Sequence, residues 1–414
     1  MAPISSESPG PERILEKKHD FLMPCSYHFY KDPPQLVKGK GASLFDSRGK
    51  EYADFFAGVS VMNCGHCNDS INRRVIDQLQ TLQHTTSLYL TQPVVDLAEQ
   101  LASVLPGDLR RSFFCNSGSE ANEGAMLLAR VYTGKKEFIA LEGSLHGRTF
   151  LTSGATGIPM WRTDPFCDEL PVHFVSSAEE AGRVIREKGD RIAALLVEPI
   201  QGNGGIRPLP PDFFTSLLPL MKEKKVLLIC DEIQTGFART GRMFAIEHYR
   251  VQPDILTGAK ALGNGFPIGF FATTDAIASS FSRPSASTLG GNPVSCQAGL
   301  GVLEFIREEN LIEEARIKGE MLKKGLESIS RDFPFLGEPR GLGLMLGLPV
   351  LGNQKWDGAE RTDQILEEMK DRGFLLGKNG LGRDVLAFQP PLVISPGVID
   401  SMLDHLRKTV RILE

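Results

Sequence analysis

No apolar run in the 414 residues approaches the roughly eighteen that a membrane-crossing helix needs, so no membrane partner is expected. No block of basic residues stands out, and the formal net charge is −5. The chain therefore lacks the electrostatic footprint of a nucleic-acid-binding protein. Cysteine is scarce and odd in number: 7 scattered residues form no disulfide framework, which fits a reducing compartment. Cys64-Gly-His-Cys67 has no second pair at ligand spacing, so a structural role is expected there and no metal site. Internal repeats are absent. The opening MAPISSESPGPERILEKKHD has neither the hydrophobic core of a secretion signal nor the Arg-rich pattern of a transit peptide. It reads as a frayed tail leading into a short helix, and the protein as cytoplasmic.

What is present is alternation. Short apolar runs (SFFC at 112–115, EFIAL at 137–141, AALLV at 193–197, VLLIC at 226–230, GFFAT at 269–273) alternate with longer amphipathic stretches. That pattern predicts an α/β fold with a mostly parallel sheet covered by helices. After Asn292 a long helical stretch leads to a final α+β segment, with strands in GLGLMLGLPV and DVLAFQPPLVI and helices in ERTDQILEEMKDRG and SPGVIDSMLDHLRKTVRIL. The expected division is a large domain over 51–324 and a smaller one over 325–414, joined by the N-terminal segment 1–50.

The densest chemistry lies in VLLICDEIQTGFARTGRMFAIEHYRVQPDILTGAKALGNGFPIG, 226–269. Asp231 follows a buried apolar strand, at the carboxyl end where open α/β sheets place ligand chemistry. Lys260 comes one β-α-β excursion later, after a helical pattern and the turn-rich PDILTG. A carboxylate that can hold a ring nitrogen protonated, with an amine that can form an imine, is what pyridoxal 5′-phosphate (PLP) requires. Ser117-Gly118-Ser119 follows another strand and opens a helix, where small residues leave backbone N–H groups free for an anion such as a phosphate. His146 and Arg148, and then Glu198, sit at two further strand ends. One shared crevice is the simplest account of four such positions.

On SGSEANE (117–123), HGRT (146–149), VEPIQGNGG (197–205), DEIQTGFARTG (231–241), TGAKALGNGFPIG (257–269), TLGGNPVSCQAGL (288–300), RGLGLM (340–345) and PPLVIS (390–395), the chain resembles the class III (omega-type) aminotransferases of PLP fold type I. The resemblance covers nearly the whole chain and looks closest to the alanine–glyoxylate aminotransferase 2 branch. It implies a large domain with a seven-stranded, mostly parallel sheet. It also implies that Lys260 binds the cofactor covalently and shuttles the proton, that Asp231 pairs with the pyridinium nitrogen, and that Gln234 meets the phenolic oxygen. Ser117, Gly118 and Ser119 would bind the phosphate, and Leu145 and His146 would lie against the ring. Thr288 would arrive from a neighbouring subunit, in a homodimer or dimer of dimers with shared active sites. Arg148 and Glu198 would face the substrate.

Three departures from the family pattern stand out. Leu145 replaces an aromatic residue over the cofactor ring. The family's Gly-His-x-His-Pro or Gly-His-x-Asn-Pro becomes Gly65-His66-Cys67-Asn68-Asp69. The arginine that clamps an α-carboxylate is replaced by Ala387. With Arg148 kept, the expected substrate is a primary amine bearing an acid at its far end: β-alanine, 4-aminobutyrate, taurine or 2-aminoethylphosphonate. A keto acid would accept the amino group. The alternative is an ammonia- or phospho-lyase acting on a phosphorylated or phosphonated amino-alcohol such as 1-hydroxy-2-aminoethylphosphonate, which needs no acceptor.

Overall fold

Short β-branched and aromatic runs bounded by glycine and polar turns become the seven strands of one sheet in the computed structural model, which describes residues 10–352 and 357–413. In chain order they are β1 (Arg111–Cys115), β2 (Glu137–Leu141), β3 (Val172–Val175), β4 (Ile192–Val197), β5 (Leu227–Asp231), β6 (Ile255–Gly258) and β7 (Gly269–Thr273). They lie side by side as β3-β2-β4-β5-β6-β7-β1. Only β7 runs against the rest.

Every residue of β4 and β5 is buried, as expected where helices cover both faces of a parallel sheet. Alternate residues feed two separate cores. Ile139, Leu195, Leu228 and Leu256 point into one, while Phe138, Ala194, Leu227 and Ile255 point into the other. The second core is closed by the helix α1 (Gly118–Thr133), whose small residues Ala125 and Ala129 let it approach the sheet closely. That approach brings the N-terminus of α1 to the carboxyl edge of the strands.

Sequence reading found five of these strands and missed β3 and β6. In β3 the polar His173 interrupts the apolar run, which hides it, and β6 opens directly on Pro253-Asp254, so that it reads as a turn. All of β6 is buried, and this matters because it delivers Lys260. Asp231 is also the last residue of β5 and not the residue beyond it.

The C-terminal segment forms a four-stranded antiparallel sheet, with Arg340–Leu342, Met345–Pro349, Val385–Phe388 and Gly377–Asn379 as successive neighbours. The run read as one strand in GLGLMLGLPV is two, folded back at Gly343 (φ +55°). The strands Leu36–Lys40, Ser43–Asp46 and Glu51–Asp54 form another sheet, in which Ala53 pairs with Phe374. The altered loop at 65–69 acquires a local reason. The side chain of Asn68 accepts the N–H groups of Ser70 (3.0 Å) and Ile71 (3.2 Å) and so caps the helix Asp69–Thr81. Cys64 beside it is buried and Cys67 exposed, and His66 bonds to Asp54 at 2.7 Å.

Candidate active site

At the carboxyl edge of the sheet a cleft of about 470 Å³ opens. Its walls come from the ends of β1 (Asn116 to Ser119) and β2 (Leu145 to Arg148), and from Ile233, Lys260 and the approach to β7 (Gly265 to Ile268), with Val61 and Trp161 at the sides. Residues that follow four strands thus converge on one space; of the strand-end positions read from the sequence, Glu198 and Asp231 do not themselves line it.

Ser117 stands in extended conformation ahead of α1, and its Oγ accepts the N–H of Glu120 at 3.2 Å. As N-terminal residues of a helix, Gly118 and Ser119 have N–H groups without intrahelical acceptors, and both residues line the cleft. These free donors and the positive helix end suit a phosphate. A Cβ on Gly118 would lie 2.8 Å from Ile233 Cδ1, so a larger residue here would displace that side chain on the cleft wall. Ser119 Oγ in turn accepts the N–H of Arg148 at 3.2 Å, tying the β2 loop to the helix end.

Asp231 is buried at the end of β5 among donors. Its Oδ2 lies 2.7 Å from His146 Nδ1 and accepts a hydrogen bond of 2.7 Å from Asn122 Nδ2; its Oδ1 accepts the N–H of Ile233 at 3.1 Å. Asn122 is itself fixed by Thr257, whose hydroxyl donates to Asn122 Oδ1 at 2.7 Å. Helix α1, the β2 loop and strand β6 therefore all aim Asp231. His146 Nε2 has no partner although it is buried, an atom available to a group seated above it.

Lys260 opens a short 3₁₀ turn after β6, with φ +34°. Burial pushes its amine below the ordinary lysine range, against the pull of Asp231 and Glu198. That shift favours the neutral amine, which is the nucleophilic form. Glu198 does not lie free in the cleft. Its Oε1 accepts the N–H of Leu145 (2.8 Å) and its Oε2 that of Gly202 (3.0 Å), so it holds the loop that carries Leu145. Its carboxyl is pushed up to about 7, chiefly by burial, with His146 opposing and Asp231 adding to the rise.

Gln234 is buried, its Oε1 accepting Gln389 Nε2 at 3.2 Å. Thr288 is exposed and is not among the residues lining this cleft, though the adjacent Ser287 accepts a hydrogen bond from Asn116 at 3.0 Å. Arg148 is exposed on the cleft wall, and no carboxylate among the described residues pairs with it. Ala387 is fully buried against Ile200, Ile206 and Met345, with Phe56 packed on the group.

The aminotransferase class-III family model matches residues 30–410. The chain belongs to the class III aminotransferases. It is 39% identical over 417 residues to alanine–glyoxylate aminotransferase 2 homolog 2, mitochondrial, of Arabidopsis thaliana, covering 96% of this chain and 87% of that one. It is 38% identical over 406 residues to acetylornithine aminotransferase of Methanocaldococcus jannaschii, covering 95% and 96%. Among solved structures it resembles ornithine aminotransferase of Toxoplasma gondii, described with PLP at its active site (27% identity, TM-score 0.88, 96% and 94% covered). It also resembles a phospholyase from Arthrobacter in complex with phosphoethanolamine (30% identity, TM-score 0.89, 96% and 99% covered). Fold type I and dependence on PLP follow from this membership.

The residues of this class III aminotransferase fit that cofactor. The free N–H groups at the start of α1, the unpartnered His146 Nε2 and the desolvated Lys260 belong to one cleft, with the triply bonded Asp231 held against His146 beside it. Sequence reading did not assign Asn122, although it lies inside the quoted SGSEANE. A polar residue on the buried face of α1 was the available signal. Trp161, Ile233 and Phe266 gave none, because single apolar residues in loops carry no periodicity.

Proposed function

We propose that this enzyme transfers the amino group of a primary ω-amine, bearing an acid at its far end, to a keto acid. The observation that carries the reading is a pair of positions. Arg148 offers an unpaired guanidinium on the cleft wall, and Ala387 leaves apolar packing where the family holds an α-carboxylate. β-Alanine, 4-aminobutyrate, taurine and 2-aminoethylphosphonate have the matching shape. Acetylornithine, in the name of the archaeal relative, also carries a primary amine at one end and a carboxylate at the other.

In this reading Lys260 binds the cofactor and moves the substrate proton. Asp231, aimed by Asn122 and His146, faces the ring nitrogen. Ser117, Gly118 and Ser119 hold the phosphate, and Leu145 covers the ring. Gln234 faces the phenolic oxygen, and Glu198 braces Leu145 beside the substrate. PLP supplies an electron sink for the carbanion that proton removal creates. Thr288 of a second copy completes the site, and the exposed Leu88, Tyr89 and Leu90 (86%, 69% and 103% exposed) offer an apolar patch for such a homodimer. The division into a large domain over 51–324 and a smaller one over 325–414 belongs to the same proposal. So does the cytoplasm, supported by seven free cysteines. Among the described residues no helix is long and apolar enough to cross a membrane.

Arg148→Ala is expected to raise KM for the acid-bearing amine about ten-fold or more, because a charge-assisted pair contributes about 1.5–3 kcal/mol. Steady-state kinetics with a fixed keto acid measures it, and an unchanged KM removes Arg148 from the substrate site. A second reading, elimination of ammonia or phosphate, is favoured by Ala387 and by the likeness to the Arthrobacter phospholyase.

A further inference from the structure

Trp161 is shared by the cleft and by a smaller recess of about 120 Å³ on the side of the C-terminal sheet. From Trp161 the recess wall is a chain of rings: Trp161 to Tyr27 (6.0 Å between centres), Tyr27 to Phe29 (6.0 Å) and Phe29 to Phe56 (5.7 Å). Across it stands Arg383, its guanidinium 5.1 Å from the centre of Phe29 and 5.6 Å from that of Tyr27.

Four observations point to this arginine. It is half-buried, yet among the described residues its guanidinium makes a single hydrogen bond, a long one of 3.5 Å to the Lys378 carbonyl, and pairs with no carboxylate. The other cation of the recess, Lys378, is already paired with Asp363 at 2.5 Å. Arg383 also holds φ +59° in the turn between strands Gly377–Asn379 and Val385–Phe388, a conformation that glycine adopts freely and residues with a Cβ avoid. Finally, Phe56 joins the recess to the place of the absent clamp, since its ring both lines the recess and packs on the Ala387 group.

We infer that Arg383 receives the carboxylate of a small 2-keto acid, the amino acceptor, in this recess. The inference rests on the aminotransferase reading. It supplies what that reading lacks: a cation for the acceptor's acid once position 387 is apolar and Arg148 is assigned to the amine. A guanidinium held over two rings, with no carboxylate of its own, is placed to accept a bidentate acid.

The test uses the holoenzyme, Arg383→Gly, which relieves the backbone strain and so preserves folding, and Arg383→Lys. Calorimetric titration with propionate, an unreactive acid, should show binding at least about ten-fold weaker in the glycine variant and partly restored in the lysine variant. The ratio of kcat/KM for pyruvate to that for propanal, an acceptor with no carboxylate, should fall by about the same factor. Equal propionate binding in all three proteins, or a parallel loss with both acceptors, overturns the inference. The titration needs no turnover. A wild-type enzyme that binds propionate through Arg383 but takes no ω-amine would instead count against the broader reading.

Discussion

Lys260→Ala should lower turnover by at least about 10⁴-fold, because in the proposed reading the same amine both captures the cofactor and moves the substrate proton. Positioned proton transfer alone contributes about 10²–10⁴-fold, so the loss of both roles leaves little residual rate. The geometry gives the reason for the size of the effect. The amine stands at the end of buried strand β6, desolvated, with Asp231 and Glu198 as the charges that oppose the shift of its proton affinity. Among the described residues no other lysine lines the cleft. The variant should also lose the visible absorbance of the lysine-held cofactor while its thermal unfolding remains cooperative. Turnover within ten-fold of wild type would mean that a different group does the chemistry.

Asp231→Asn should lower kcat by about 10²–10³-fold, the range for removing one preorganised electrostatic partner from an active site. The substitution keeps the size of the side chain and removes its charge. The donors gathered around Asp231, from His146, Asn122 and the Ile233 N–H, are arranged for an anion and do not suit an amide NH₂. Lys260 remains, so cofactor absorbance should persist, shifted in wavelength, and added cofactor should not restore the rate. Spectra and kcat measured on the same preparation separate this outcome from simple cofactor loss. An undiminished kcat would take Asp231 away from the ring nitrogen.

Much of this arrangement is legible in the sequence because strand ends announce themselves. Cys115, Leu141, Val197 and Asp231 each close an apolar run, and the chemistry follows at once in Ser117, His146, Glu198 and Asp231 itself. Lys260 was found by its glycine-rich surroundings although its strand was not, because β6 is short and begins on a proline–aspartate pair. What stayed hidden depends on tertiary contacts. Nothing in sequence periodicity says that Asn122 on α1 reaches across to Asp231, since a buried polar residue on a helix has many possible partners. The bracing of the Leu145 loop by Glu198 was hidden for a related reason: that a carboxylate at a strand end also accepts the backbone amides of Leu145 and Gly202 is set by tertiary contacts. Arg383 lies four residues before Ala387, an offset that along a strand need not share a pocket. The turn at Gly380 to Arg383 is what carries it onto the rings of Tyr27 and Phe29.

The measurement that tests the central claim most directly is single-turnover mixing of the holoenzyme with an ω-amine and no keto acid. β-Alanine, 4-aminobutyrate, taurine, 2-aminoethylphosphonate and its 1-hydroxy derivative would be mixed in turn, following cofactor absorbance and released products together. The account predicts that at least one acid-bearing amine bleaches the lysine-held cofactor band, yields one equivalent of aldehyde per site, and stops there until an acceptor is added. Repeated release of ammonia or phosphate, with the band returning to its starting height, would contradict transamination and assign the cleft to elimination.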